Sequence, residues 1–191
     1  AVGAVNGDGE FVTKSEKPNR PLTASPAAAS DIATLRELST LPTGSAQMST
    51  GDYSTLSEVL ADNPDKSDNA LADRSESFTL FESHGRTISA VQSEGGSLCM
   101  AATIEGASIS GGCSQHLRAA GVEPIVTSIP AIDDAPTSVQ VYGLHAADVT
   151  GISVVFSDGS TQKADLSKWG FWASHDGDAR VTSISIDRAG K

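Results

Sequence analysis

The sequence predicts a mainly β fold, a sandwich or open barrel of short antiparallel strands, with short α-helices near the N-terminus. Three observations carry that prediction. From residue 77 onward the hydrophobic period is two, in segments rich in Val, Ile, Thr and Ser. Gly, Pro, Asp or Asn punctuates those segments at the spacing of a sandwich or barrel. A helical period of three to four residues is confined to the stretch before them.

The elements follow in chain order. Residues 1–30 read as an extended or mobile lead-in; KPNRPLTASPAAAS holds three prolines and no period. Residues 31–76 form a short, helical, acidic part. Ser30 caps a helix from Asp31, with Ile32, Leu35 and Leu38 on one face, ending at Pro42. A second helix fits Ser54 to Ala61, with Leu56, Val59 and Leu60 together and Asn63-Pro64 as its stop. NALADRSESF fits a third turn. Residues 77–191 form the β-rich part. Its expected strands are FTLFES, RTISAVQ, SLCMAATI, ASISGGC, EPIVTSI, SVQVYGL, GISVVFS, TQKADLS, GFWAS and VTSISI. In GISVVFS, Ile152, Val154 and Phe156 share one face. Asp158-Gly159 is the strongest hairpin signal and predicts a two-residue primed turn. SQHLRAAG fits a short helical interruption.

Composition narrows the function classes. Aromatics are 5% of the chain, so the core is built from Val, Ile, Leu and Ala. The net charge is −11, a field that repels phosphate backbones and anionic membrane surfaces. No nucleic-acid partner is expected, and basic partners suit the surface better. From Asp31 to Glu82, 10 acidic residues stand against 3 basic ones, a net of −7. That stretch reads as solvated helix surface or as a docking face for a basic partner. No run of 18 apolar residues is present, so this segment is not expected to insert directly into a membrane.

Cys99 and Cys113 flank two short strands around a Gly/Ser-rich turn. A disulfide closing a loop of this size contributes ~3 kcal/mol in the chain-entropy picture and persists in oxidising compartments. The other reading is two free thiols. Neither a redox nor a zinc C-x-x-C spacing occurs.

A search for chemistry predicts no catalytic residue, no metal and no cofactor. Gly106-Ala-Ser108-Ile-Ser110 lacks the second glycine of a nucleophile elbow. Ser160 to Lys163 spells S-x-x-K on an extended pattern, where the two side chains diverge. His84, His116, His145 and His175 share no ligand spacing. Asn6-Gly-Asp8-Gly-Glu10 begins like a calcium loop, but Phe11 and Lys17 stand where Gly and Glu are needed. His175-Asp-Gly-Asp178 and Asp133-Asp134 read as acidic turns. Trp169, Phe171 and Trp172 gather three of nine aromatics in four positions. On a strand Trp169 and Phe171 share a face and Trp172 takes the other. They read as core, or as a binding surface for sugar or protein through a partly exposed ring.

The strand SLCMAAT, the second cysteine in SGGCS, and VYGLHAADVTGISVVFSDGSTQKADL with its D-G hairpin stand in a familiar order. Over roughly residues 70–190 the chain resembles uncharacterised exported actinobacterial domains, secreted or membrane-anchored. DRSES and FTLFES match looser features of that group. The resemblance implies an extracytoplasmic location, secreted or anchored through a segment upstream of Ala1, and a paired disulfide. It implies no activity. The chain departs from the group at KWGFWASHDGD, where an Asn-rich strand start is usual.

The expected function is a non-enzymatic extracytoplasmic binding domain of the bacterial cell envelope, its partner a protein or a wall glycan. A sensing or regulatory outer portion of a membrane-anchored protein is the first alternative. A hydrolase with an unrecognised site is the second.

Overall fold

Among the described residues, three antiparallel sheets and one α-helix stack as four layers. The computed structural model describes residues 2–5, 11–13, 48–61, 70–93, 97–114, 121–131 and 136–189. The expected first helix, the lead-in beyond its two short strands, the SQHLRAAG turn, His116, Asp133-Asp134 and the Asn6 loop lie outside these residues.

The first hairpin joins β1 (Val2–Val5) and β2 (Phe11–Thr13), strands that the sequence reading placed in an extended lead-in. Helix α1 spans Thr50–Ala61. Ser49 caps it: its Oγ accepts from the Asp52 amide at 3.1 Å and donates to Asp52 Oδ2 at 2.7 Å. A single 3₁₀ turn follows at Arg74–Glu76, where a third helical turn was expected.

The helix-side sheet runs in the order β3-β4-β5-β6, from β3 (Phe78–Ser83), β4 (Arg86–Gln92), β5 (Leu98–Ile104) and β6 (Ala107–Ser114). The central sheet holds β7 (Val122–Ile129), β8 (Ser138–His145), β11 (Asp165–Leu166) and β12 (Gly170–Asp176), in the order β11-β12-β8-β7. The outer sheet is built on β9 (Val149–Phe156), β10 (Thr161–Lys163) and β13 (Val181–Arg188), with β1 and β2 added at the β13 edge, in the order β10-β9-β13-β1-β2.

Alternation along each strand feeds two cores. Ile152, Val154 and Phe156 of β9 meet Val139, Val141, Phe171 and Ala173 of the central sheet. The opposite face of the central sheet presents Tyr142, Leu144 and Trp172 to Phe81, Ile88 and Met100 of the helix-side sheet. β8 is buried along nearly its whole length, and so carries apolar side chains on both faces. A third cluster, Met48, Leu56, Val91, Cys99 and Ala101, seats α1 on the far face of the helix-side sheet.

The segment expected as one strand, TQKADLS, changes sheets. Thr161–Lys163 pairs with β9, Ala164 donates to Ile152 O, and Asp165–Leu166 pairs with β12. The corner ties the outer and central sheets together.

β7 is an edge strand, and its proline is placed accordingly. His145 N–H donates toward β12, to Trp169 O, while Ala146 N–H donates toward β7, to Gly121 O. Backbone direction alternates along a strand, so Gly143 points away from its β7 partner, Pro124. Pro124 therefore sits where an amide would aim off the sheet, and its missing donor costs no ladder bond.

The hairpin turns differ from expectation. The turn at Asp158-Gly159 is not a two-residue primed turn, because only Gly159 has a positive φ (85°). Gly159 N donates to Phe156 O at 3.0 Å and Phe156 N to Ser160 O at 2.9 Å, which makes a three-residue loop with Gly159 at the left-handed position. The primed geometry, with two positive φ values, occurs at His84-Gly85 and Glu105-Gly106. His and Glu are weak turn signals, so the sequence hides both.

Candidate functional site

The aromatic cluster is core. Trp169, Phe171 and Trp172 are 4%, 0% and 0% exposed, which overturns their reading as a binding surface. They do not follow simple alternation either. Ser167 N donates to Gly170 O, closing a turn, so β12 begins only at Gly170 and Trp169 lies outside the strand. Phe171 enters the outer core, while Trp169 and Trp172 enter the helix-side core. Gly170 is required at the start of this strand. A Cβ there would stand 2.8 Å from Phe81 Cβ and 2.9 Å from Leu80 O. A chain this poor in aromatics spends its tryptophans on the layer that joins two sheets.

The two cysteines lie directly opposite each other in the β5–β6 register and are joined as a disulfide. Cys99 is fully buried and Cys113 packs against the same cluster under α1. No free cysteine remains.

One polar constellation, scattered in sequence, is assembled by the fold. The loop between β9 and β10 carries Asp158 and Ser160, and β12 carries His175 beside it. The His175 ring stacks on Phe156, with centroids 4.5 Å apart and planes 22° from parallel. Its Nε2 lies 3.1 Å from Asp158 Oδ2, and its Nδ1 lies 3.4 Å from Ser160 Oγ. Asp158 Oδ1 accepts from the Ser160 hydroxyl at 2.7 Å and from the Ser160 amide at 2.9 Å. Those bonds, the hydroxyl first, hold the Asp158 carboxyl below its ordinary range, with a smaller contribution from a charged His175.

The residue types are those of a nucleophilic triad, and the geometry is not. In a working triad the imidazole stands between hydroxyl and carboxylate, taking a proton from one while the other orients it. Here the carboxylate touches both partners, and the Ser160 proton is donated to Asp158. The N–H directions of an imidazole diverge, so a hydroxyl and a carboxylate in mutual contact cannot lie along both. The arrangement closes the hairpin and fastens it to β12. The S-x-x-K pair is also taken apart, since Ser160 ends the loop and Lys163 ends β10 with no helix between them.

Sequence reading passed over this cluster because Ser160 and His175 meet only through the packing of two sheets. Among the described residues no group of three or more His, Cys, Asp or Glu converges to hold a metal ion. Among the same residues no helix is long and apolar enough to cross a membrane. Compared with protein-family models, with curated proteins and with solved structures, the chain matches none.

Proposed function

We propose that this chain is an extracytoplasmic interaction domain of the bacterial cell envelope, acting by binding rather than by chemistry. The observation that carries the reading is the Cys99–Cys113 disulfide, set between neighbouring strands beneath α1. Such bonds persist in oxidising compartments, and the resemblance to exported actinobacterial domains points the same way. At Asp158, Ser160 and His175 the hydroxyl proton is committed to a carboxylate rather than to a base, so this cluster offers the hydrolase reading no activated nucleophile.

The partner is a protein or a wall glycan. With the tryptophans in the core, recognition falls to the polar surface, whose charge of −11 favours a basic partner. Co-sedimentation of the purified chain with insoluble cell wall, at low and high salt, tests this. Binding lost at high salt supports a charge-led contact. Salt-resistant binding supports a glycan contact. No binding at either salt removes the wall as the partner.

A further inference from the structure

Among the described residues six strands end a sheet: β2 and β10, β7 and β11, β3 and β6. Sheet edges are ordinarily blunted by shortness, proline, charge, a bulge or a covering segment. β2 and β10 have three residues each and β11 has two. β7 sets Pro124 off the sheet, and Pro130 follows the strand. On β3, Leu80 O accepts from the Ser167 hydroxyl. β6 has eight residues, no proline and no charged side chain. Its one such device is a bulge at Ile109, after which residues 110–114 pair regularly with β5.

The β5 ladder decides which backbone groups of β6 are left over. Glu105 N donates to Gly85 O, and Ser93 N to Ser97 O. Cys99, Ala101 and Thr103 therefore aim N–H and C=O at β4, while Leu98, Met100 and Ala102 aim theirs at β6. Ser114, Gly112 and Ser110 answer them. Gly111 and Cys113 turn their N–H and C=O outward, where no described residue pairs with them. Both are partly exposed.

This open run lies in a seam. On one face stands α1: a Cβ on Gly111 would come within 2.8 Å of Leu56 Cδ2. On the other stands β7: a Cβ on Gly112 would meet Ile125 Cδ1 at 3.4 Å. Asp52 lies one turn before Leu56 on the sheet-facing side of α1. It is 2% exposed and keeps Oδ1 without a donor. α1 and the β5–β6 hairpin carry Asp52, Glu58 and Glu105, and no lysine, arginine or histidine. The seam calls for backbone partners and positive charge together.

We propose that the β6 edge binds an extended basic segment of a partner protein, added as a fifth strand of the helix-side sheet beside α1. The inference rests on the reading of this chain as a binding domain. The partner's backbone meets Gly111 and Cys113. Its side chains alternate, one set toward the carboxylates of α1 and the other toward Ile125. Lysine or arginine alternating with a β-branched residue fits both faces.

The probe is an end-capped peptide of about eight residues alternating Lys and Val, added to the intact, oxidised chain. Amide hydrogen exchange is read residue by residue by NMR. In the free chain the Gly111 and Cys113 amides exchange fast. Saturating peptide is expected to slow both by about tenfold or more, leaving Val126 and Ser128 on β7 unchanged. Glu in place of Lys is expected to weaken binding by at least about tenfold at low salt. A peptide N-methylated at every residue should leave both amides fast. No slowing with the Lys-Val peptide overturns the proposal. So does slowing by the N-methylated peptide, or equal binding of the Glu peptide. Slowing that grows with protein concentration alone puts a second copy on the edge and also overturns it. Co-sedimentation with cell wall is a separate readout. A chain that sediments while both amides stay fast keeps the binding reading and loses this edge. A chain that protects both amides without sedimenting keeps the edge and loses the wall.

Discussion

Trp172 on β12 donates its indole N–H to the side-chain oxygen of Gln140 on β8, 2.9 Å away, in the layer between the central and helix-side sheets. Both residues are almost wholly buried, and the Gln140 amide donates onward to Ser138 Oγ at 3.0 Å. The indole also stacks on Tyr142, with centroids 5.2 Å apart. Removing the acceptor strands a buried donor that water cannot reach. Gln140→Leu is therefore expected to cost about 1–3 kcal/mol, read by denaturant unfolding. A stability within a few tenths of the wild type would mean that the indole finds another acceptor.

Tyr142 makes the opposite prediction. Its ring is fully buried, and its phenol oxygen lies beside Ser110 without a hydrogen bond of full geometry to it. Burial pushes the phenol up to about 12, with Ser110 pulling weakly the other way. Tyr142→Phe removes an unsatisfied group and little else, so its effect on stability should be near zero or favourable. Alkaline titration gives a second check. The fold holds Tyr142 neutral after an unfolded tyrosine, at about 10, has ionised. Stability from this group is thus complete below pH ~10 and is lost between pH ~10 and 12, by up to roughly 2–3 kcal/mol. Absorbance of the two tyrosinates should show one late titration that Tyr142→Phe abolishes.

The strands were legible because their signal is local. Alternation placed Ile152, Val154 and Phe156 on one face, and all three enter one core. The helix over Leu56 and the opposition of Cys99 to Cys113 were legible for the same reason. Stacking was not, since a residue such as Tyr142 reads alike whether its face meets solvent or a third sheet. The aromatic stretch misled because a turn at Ser167–Gly170 breaks the alternation before β12 begins. The Asp158–Ser160–His175 contact was hidden altogether: the loop and β12 belong to different sheets, and only packing brings them together.

That contact predicts an acid-side effect. The Asp158 carboxyl is held below its ordinary range by the Ser160 hydroxyl and amide. A carboxyl lowered in the fold contributes stability above its unfolded value, near 3.8, and that contribution is lost as pH falls through the lower folded value. Asp158→Asn should leave the midpoint temperature less dependent on pH below about 4 than in the wild type. Ser160→Ala should act in the same direction, because it removes the largest cause. Parallel acid profiles for wild type and both variants would show that the hairpin does not sense this carboxyl.

The disulfide gives the last test, and it bears on compartment as well as stability. Cys99 and Cys113 are already opposite each other in the ladder, so the bond adds little to the native register. Its weight falls on the unfolded chain, where it closes a loop over a sequence separation of 14. The chain-entropy contribution for such a loop is ~3 kcal/mol, which for a domain of this size corresponds to a midpoint shift of about 6–12 °C. The double variant Cys99→Ala/Cys113→Ala should melt lower by about that amount. The wild type in dithiothreitol should follow it, since the sulfurs also floor the seat of α1. Alkylation of the denatured, unreduced protein should label neither cysteine. Labelling of both before reduction would remove the bond, and with it the observation on which an oxidising compartment rests. Such bonds form and persist in oxidising compartments and are rare where thiols are kept reduced. Protein made in a reducing cytoplasm should therefore match the double variant in melting, and regain the higher midpoint after oxidation.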